Sequence, residues 1–263
     1  MSPSLYRKAQ YLSLDIVLGA VILLRFFSNT LVVNPPIVVY FLLGSSVWIV
    51  YTIDHIRDAK KAKICSRHRY QFHLRNEKNL RIIVLVFIVV CIGMTFYIRL
   101  SILISGMLLV GFSGIYLLVQ DILAKNGLKE FYVALIYTLG ILIVPFVLKG
   151  LFELKIFISL FLLSYANLII FSWFEKGEDI SDGFTSLATY VSGSVLQKII
   201  LGIISLGISI SISTDLTKTG IFFLAGFFVY AALFLQDKWS CRNDRFRTIG
   251  DGIFLMPILY EWL

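Results

Sequence analysis

Eight apolar stretches of about 18 to 23 residues and a weaker ninth follow one another along this chain, and they constrain its fold more than any other feature. They lie near residues 11 to 33, 37 to 55, 80 to 98, 101 to 120, 130 to 149, 155 to 174, 195 to 213, 219 to 236 and 249 to 263. At about 1.5 Å of rise per residue, a helix of roughly 20 residues crosses a hydrocarbon core of about 30 Å. No water reaches that core, so each crossing segment must close its own backbone hydrogen bonds, and separate apolar segments do so as helices. The 58% hydrophobic content and mean hydropathy of +0.86 exclude a soluble domain of 263 residues. The expected fold is all-α, a polytopic transmembrane bundle of about nine spans. It forms one domain over residues 1–263, since no linker or shift in composition divides it.

The connections predict an orientation. The first stretch starts just after Arg7 and Lys8 and lacks a small-residue cleavage site, so it is expected to stay as an anchor. With the N-terminus inside, nineteen Lys and Arg residues fall on the inner side, and only Arg99, Lys149, Lys155 and Lys218 on the outer. That asymmetry puts the N-terminus in the cytoplasm and the C-terminus outside. The net charge of +8 is then a topology signal and calls for no nucleic-acid partner. Cys65, Cys91 and Cys241 form no CxxC arrangement, so neither a disulfide nor zinc is expected. His55, His68 and His73 fall in the basic inner region, where solvated or phosphate-facing roles are expected.

Two acidic pairs, Asp54/Asp58 and Glu175/Asp179, stand where apolar stretches two and six run into long charged inner connections. A spacing of four puts both carboxylates of a pair on one helix face. Carboxylates at the mouth of a membrane bundle are costly unless they face water, a cation or a partner, so matched pairs suggest one shared cation site. Mg2+ prefers hard oxygen ligands and binds through one or two carboxylates plus phosphate oxygens, which points to a metal-bound diphosphate. Inner basic residues, among them Arg57, Lys60, Lys61, Arg67, Arg69, Lys125, Lys129 and Lys176, are available to clamp such a phosphate, with Arg67 and Lys176 favoured by their place beside the acids. The opposing reading is local helix-end ion pairing, Asp54 with Arg57 and Asp58 with Lys61.

The motif residues resemble the UbiA superfamily of intramembrane prenyltransferases. VYTIDHIRD is similar to the last two acids of that family's first motif at Asp54 and Asp58, and EKGEDISDGFTSL resembles its second at Glu175, Asp179, Gly183 and Leu187. Arg67 echoes the Arg that follows the first motif, and NGLKEFYVALIYTLGILIVP resembles the fifth span with its basic lead-in at Lys129. The chain departs from the pattern at Val50 and Tyr51, which stand where the family has Asn and Asp, and at Glu175, which replaces Asp. The resemblance implies a helical bundle around a central cavity that opens to the cytoplasm and laterally to lipid. It implies Mg2+ held by Asp54, Asp58, Glu175, Asp179 and the neighbouring Asp182, and a polyprenyl diphosphate bound by Arg67, Lys129, Lys176, Tyr51 and Asn167. The prenyl group would pass to a lipophilic, aromatic acceptor.

Tyr51, Tyr132, Tyr165 and Trp173 lie near the motif ends and are candidates for an aromatic lining that faces an allylic cation. Asp15, Arg25, Asn167 and Asp251 are polar residues inside or at the edge of apolar stretches. Asn167, two turns before Glu175, is a candidate cavity residue, whereas Asp15 and Asp251 are expected to be wet at the inner surface. Two further functions fit the same residues. One is a membrane terpene cyclase of the same superfamily, in which the prenyl chain captures its own cation. The other is a non-catalytic lipid-binding or transport protein.

Overall fold

The computed structural model describes residues 5–64, 67–213 and 217–260, so Cys65 and residues 261 to 263 of the ninth apolar stretch lie outside the described residues. All regular structure among the described residues is helical. A short α1 (Leu5–Tyr11) turns at Ser13, held at φ 55°, into α2 (Leu14–Thr30). Pro35 and Pro36 prevent α2 from continuing, and α3 (Ile37–Lys61) starts directly after them. The inner connection that follows folds as α4 (His68–Arg75) and leads into α5 (Glu77–Met94). Then come α6 (Leu100–Lys125), α7 (Lys129–Lys149), α8 (Leu154–Asp182), a single turn α9 (Leu187–Tyr190), α10 (Gly193–Ile212) and α11 (Lys218–Leu235).

Seven described helices are long and apolar enough to cross a membrane: α3, α5 with its 3-10 extension to Tyr97, α6, α7, α8, α10 and α11. The first expected span corresponds to α2, which has 17 residues and packs in the centre of the bundle through Leu23, Leu24 and Phe27. The last expected span is not one helix. Gly250, Gly252 and Pro257 divide it into α13 (Arg245–Gly252), a 3-10 turn and α14 (Pro257–Tyr260), after the one-turn α12 (Asp237–Cys241). Glycine gives up helix propensity and proline lacks the N–H donor, so the interruption is written in the sequence.

The core runs between α2, α8, α10 and α11, where Phe27, Leu163, Ile169, Phe222, Phe223 and Phe227 are buried. Half of the apolar window of α8 is inside the protein, against 11% for α5 and α6. The last two therefore form an outer wall whose apolar side chains suit lipid. Helix α8 has 29 residues, a rise of roughly 43 Å, and α3 has 25, roughly 37 Å. Both are longer than a hydrocarbon core of about 30 Å, and each carries its acidic pair in its C-terminal third. A backbone bond from Lys63 N–H to the Asp182 carbonyl (3.0 Å) ties the two ends together. Gly183 ends α8 at φ +79°, where a Cβ would also meet Lys63 at 2.9 Å.

Candidate functional site

The C-terminal ends of α3, α6 and α8, the N-terminal end of α7, and parts of α4 and α13 enclose a cavity of about 520 Å³. That volume is typical of a small-molecule site. Asp54 and Asp58 line it from α3, and Glu175 and Asp179 from α8, one helical turn apart in each pair. Both acidic pairs therefore face one cavity. The local ion pairs that the spacing also permitted are not formed: Arg57 and Lys61 both turn to Asp121 on α6, at 3.1 and 2.7 Å. That leaves Asp54 and Asp58 to the cavity.

Cations reach the same place from three elements. Arg67 lies between α3 and α4 and binds Glu175 (3.2 Å), Asp179 (2.6 Å) and Glu178 (2.8 Å), with its own side chain 10% exposed. Burial opposes its charge, but the surrounding carboxylates, Glu175 foremost, outweigh burial and hold its pKa above the ordinary arginine value. Arg247 from α13 forms a second ion pair with Glu175. Lys129, at the start of α7, faces Asp58 at 3.6 Å. Arg69 on α4 lines the cavity and lies 5.6 Å from the Tyr70 ring centroid, and no ion pair between Arg69 and a described carboxylate is formed. Burial, and then the positive charge of Arg247, lower its pKa.

The four carboxylates do not gather as one ligand set. Among the described residues no three His, Cys, Asp or Glu side chains converge as a metal-binding group. The Glu175/Asp179 pair is compensated by arginines, whereas Asp54 Oδ1 is buried without a hydrogen-bond partner and both amide atoms of neighbouring Gln120 are buried and unpaired. Buried polar atoms without a partner also line the cavity from α7 and α8, at Glu130, Tyr137, Ser164 and Asn167.

Of the other residues expected from sequence, Tyr51, Asn167, Arg67 and Lys129 line the cavity. Lys176 and Asp182 do not. Lys176 follows Glu175 directly, and a step of one residue turns a helix by about 100°, away from the shared face. Asp182 is buried at the end of α8, where its carbonyl receives Lys63. Tyr132, Tyr165 and Trp173 are likewise outside the lining, which takes its rings from Tyr51, Tyr70, Tyr116, Tyr137, Phe171, Phe184 and Phe254.

Of the solvated or phosphate-facing settings expected for the histidines, His55 and His73 do not take the solvated one: both are buried with rings 5.1 Å apart, Ser13 Oγ is 3.1 Å from His55 Nε2, and His55 lines the cavity. His73 Nδ1 contacts the Arg69 carbonyl at 2.9 Å, and burial lowers the pKa of its ring. Asp251 is also buried rather than wet, at 8% exposure. Arg247 and Gln120 carried no local sequence signal, because only the return of α13 and the packing of α6 bring them to the acids.

Compared with protein-family models, with curated proteins and with solved structures, the chain matches none.

Proposed function

We propose that this protein is an integral-membrane, Mg2+-dependent enzyme that ionises a polyprenyl diphosphate and transfers the prenyl group to a lipophilic aromatic acceptor. The observation that carries the reading is the meeting of two carboxylate pairs from α3 and α8 with Arg67, Arg69, Lys129 and Arg247 on one cavity. A site built only to balance its own charges would pair them all off. Here Arg69 forms no ion pair with a described carboxylate, and Asp54 Oδ1 accepts no hydrogen bond although the charge of Lys129 acts on the same carboxylate.

The residues present fit Mg2+. The ion needs only one or two protein carboxylates when substrate phosphate oxygens complete its shell, and Asp54 and Asp58 supply them without a third acid. Glu175 and Asp179 are the candidates for a second ion, at the expense of their arginine contacts. Held by these carboxylates, Mg2+ would supply charge neutralisation to a diphosphate leaving group. Arg69 and Lys129 would hold the diphosphate oxygens, and Tyr51 and Tyr116, which also line the cavity, would offer aromatic rings to a cation at the carbon end.

In this reading α2 is a further crossing, the N-terminus is cytoplasmic, and the cavity opens to the cytoplasm. The Lys and Arg asymmetry of the connections supports that orientation. The test is diphosphate release from prenyl diphosphates of several lengths by protein in lipid nanodiscs, with and without Mg2+ and aromatic acceptors. Release that needs Mg2+ and falls about 100-fold or more in Asp54→Asn, about 2.7 kcal/mol in barrier height, is the expected result. Equal release without Mg2+, or an unaffected Asp54→Asn, contradicts the reading.

A further inference from the structure

A second cavity, of about 230 Å³, lies between the last turn of α2, the first turns of α8 and α11 and the residue that follows α10. Ser159, on its wall, precedes Glu175 by sixteen residues, roughly 24 Å along α8. This is the end of the bundle opposite the acidic pairs, and the two linings share no residue. Ser159 is fully buried, and its hydroxyl has no hydrogen-bond partner. Lys155 stands four residues before it, so ammonium and hydroxyl lie on one face of α8, and both line the cavity. Lys155 forms no ion pair with a described carboxylate, and its Nζ is 3.5 Å from the Ser213 carbonyl oxygen.

The other polar groups of the wall divide into those already satisfied and those that are not. Thr30 Oγ1 donates to the Phe26 carbonyl at 2.9 Å, so in its 3.4 Å contact with Thr219 Oγ1 it accepts. Glu153, the one anionic side chain among the described lining residues, is held by Lys149 at 2.8 Å. Thr217 caps α11, where its Oγ1 accepts from the Gly220 N–H at 3.3 Å and its own hydrogen stays free to donate. The amides of Lys218 and Thr219, the first two of α11, have no carbonyl acceptor within the helix.

A buried hydroxyl without a partner costs free energy unless a ligand or water satisfies it. Beside the Ser159 hydroxyl, the unspent groups are an ammonium, a second hydroxyl and helix N-terminal amides. The positive end of the α11 dipole adds to the Lys155 charge. Ammonium, hydroxyl and helix N-terminus together match the several acceptor oxygens and negative charge of a phosphate. We propose that Lys155, Ser159, Thr217 and the first amides of α11 form a phosphate-binding site, for the phosphate of a lipid headgroup or of a small soluble ester. The site is independent of the prenyl-transfer reading.

The experiment is equilibrium dialysis of radiolabelled inorganic phosphate against the protein in dodecyl maltoside micelles, which contain no phosphate. Saturable binding with a Kd of about 1 mM or tighter is expected. Lys155→Gln weakens it about tenfold and Ser159→Ala about threefold, whereas Lys155→Arg, which keeps the charge, stays within about threefold. Arg69→Gln, in the other cavity, leaves the Lys155-dependent binding unchanged. Competition then separates the sources. Displacement by phosphatidylglycerol but not by diacylglycerol marks a lipid headgroup, and displacement by glycerol 3-phosphate alone marks a soluble ester. Binding that is lost in Arg69→Gln and kept in Lys155→Gln places the phosphate in the acidic cavity and overturns the site, as does the absence of saturable binding. Should Ser159→Ala fail to fold, Lys155→Gln decides alone, because Lys155 is exposed and its replacement leaves the core intact.

Discussion

Arg67 and Arg69 stand two residues apart at the start of α4 and face the same cavity in opposite electrostatic conditions. Arg67 is spent on Glu175, Glu178 and Asp179, whereas no ion pair links Arg69 to a described carboxylate. Removing one partner of a buried ion pair leaves the others uncompensated, at a cost of about 3 to 5 kcal/mol. Arg67→Gln is therefore expected to lower the melting temperature sharply, while Arg69→Gln leaves it nearly unchanged and weakens prenyl diphosphate binding. Thermal unfolding and ligand titration in nanodiscs read the two effects separately. Arg67 was legible through its place beside the first acidic segment, but nothing local set Arg69 above the other inner cations. Lys176 stays outside the lining for a simple reason: adjacency in sequence is not adjacency on a helix face.

At the scale of elements, close approach of α10 and α11 depends on Gly207, where a Cβ would fall among the ring atoms of Phe227, while nothing lies within 4 Å of a Cβ at Gly202 on the same helix. Gly207→Ala is expected to destabilise the bundle by about 1 to 3 kcal/mol through overpacking. Gly202→Ala is expected to be neutral or stabilising by up to about 1 kcal/mol, from helix propensity alone. Melting temperatures of the two variants check the contrast. The long helices from α3 to α11 were legible because hydropathy is local, and so were the acidic pairs, because a four-residue spacing fixes a shared face wherever the helix lies. The ninth stretch was read as a span from its hydropathy, although Gly250, Gly252 and Pro257 were present to break it. Arg247 and the burial of Asp251 were not legible, since both follow from how α13 folds back against α8 and α2.

Across the whole molecule, seven acids (Asp54, Asp58, Asp121, Glu130, Glu175, Asp179 and Asp251) and six bases (Lys61, Arg67, Arg69, Lys125, Lys129 and Arg247) line the cavity, a near balance of charge. Mg2+ alone would meet the cations and a diphosphate alone the carboxylates, while the two together nearly cancel. Binding is thus expected to be cooperative: each ligand alone barely shifts the melting temperature, and both together raise it by several degrees. Independent, additive shifts in a thermal scan would contradict this balance. The most direct measurement is an experimental structure in lipid with Mg2+ and a non-hydrolysable prenyl thiodiphosphate. It is expected to show metal density against Asp54 and Asp58, the thiodiphosphate against Arg69 and Lys129, and the prenyl chain running into the aromatic part of the cavity. A thiodiphosphate bound elsewhere, or a cavity with no metal between Asp54, Asp58 and the ligand, would contradict the account.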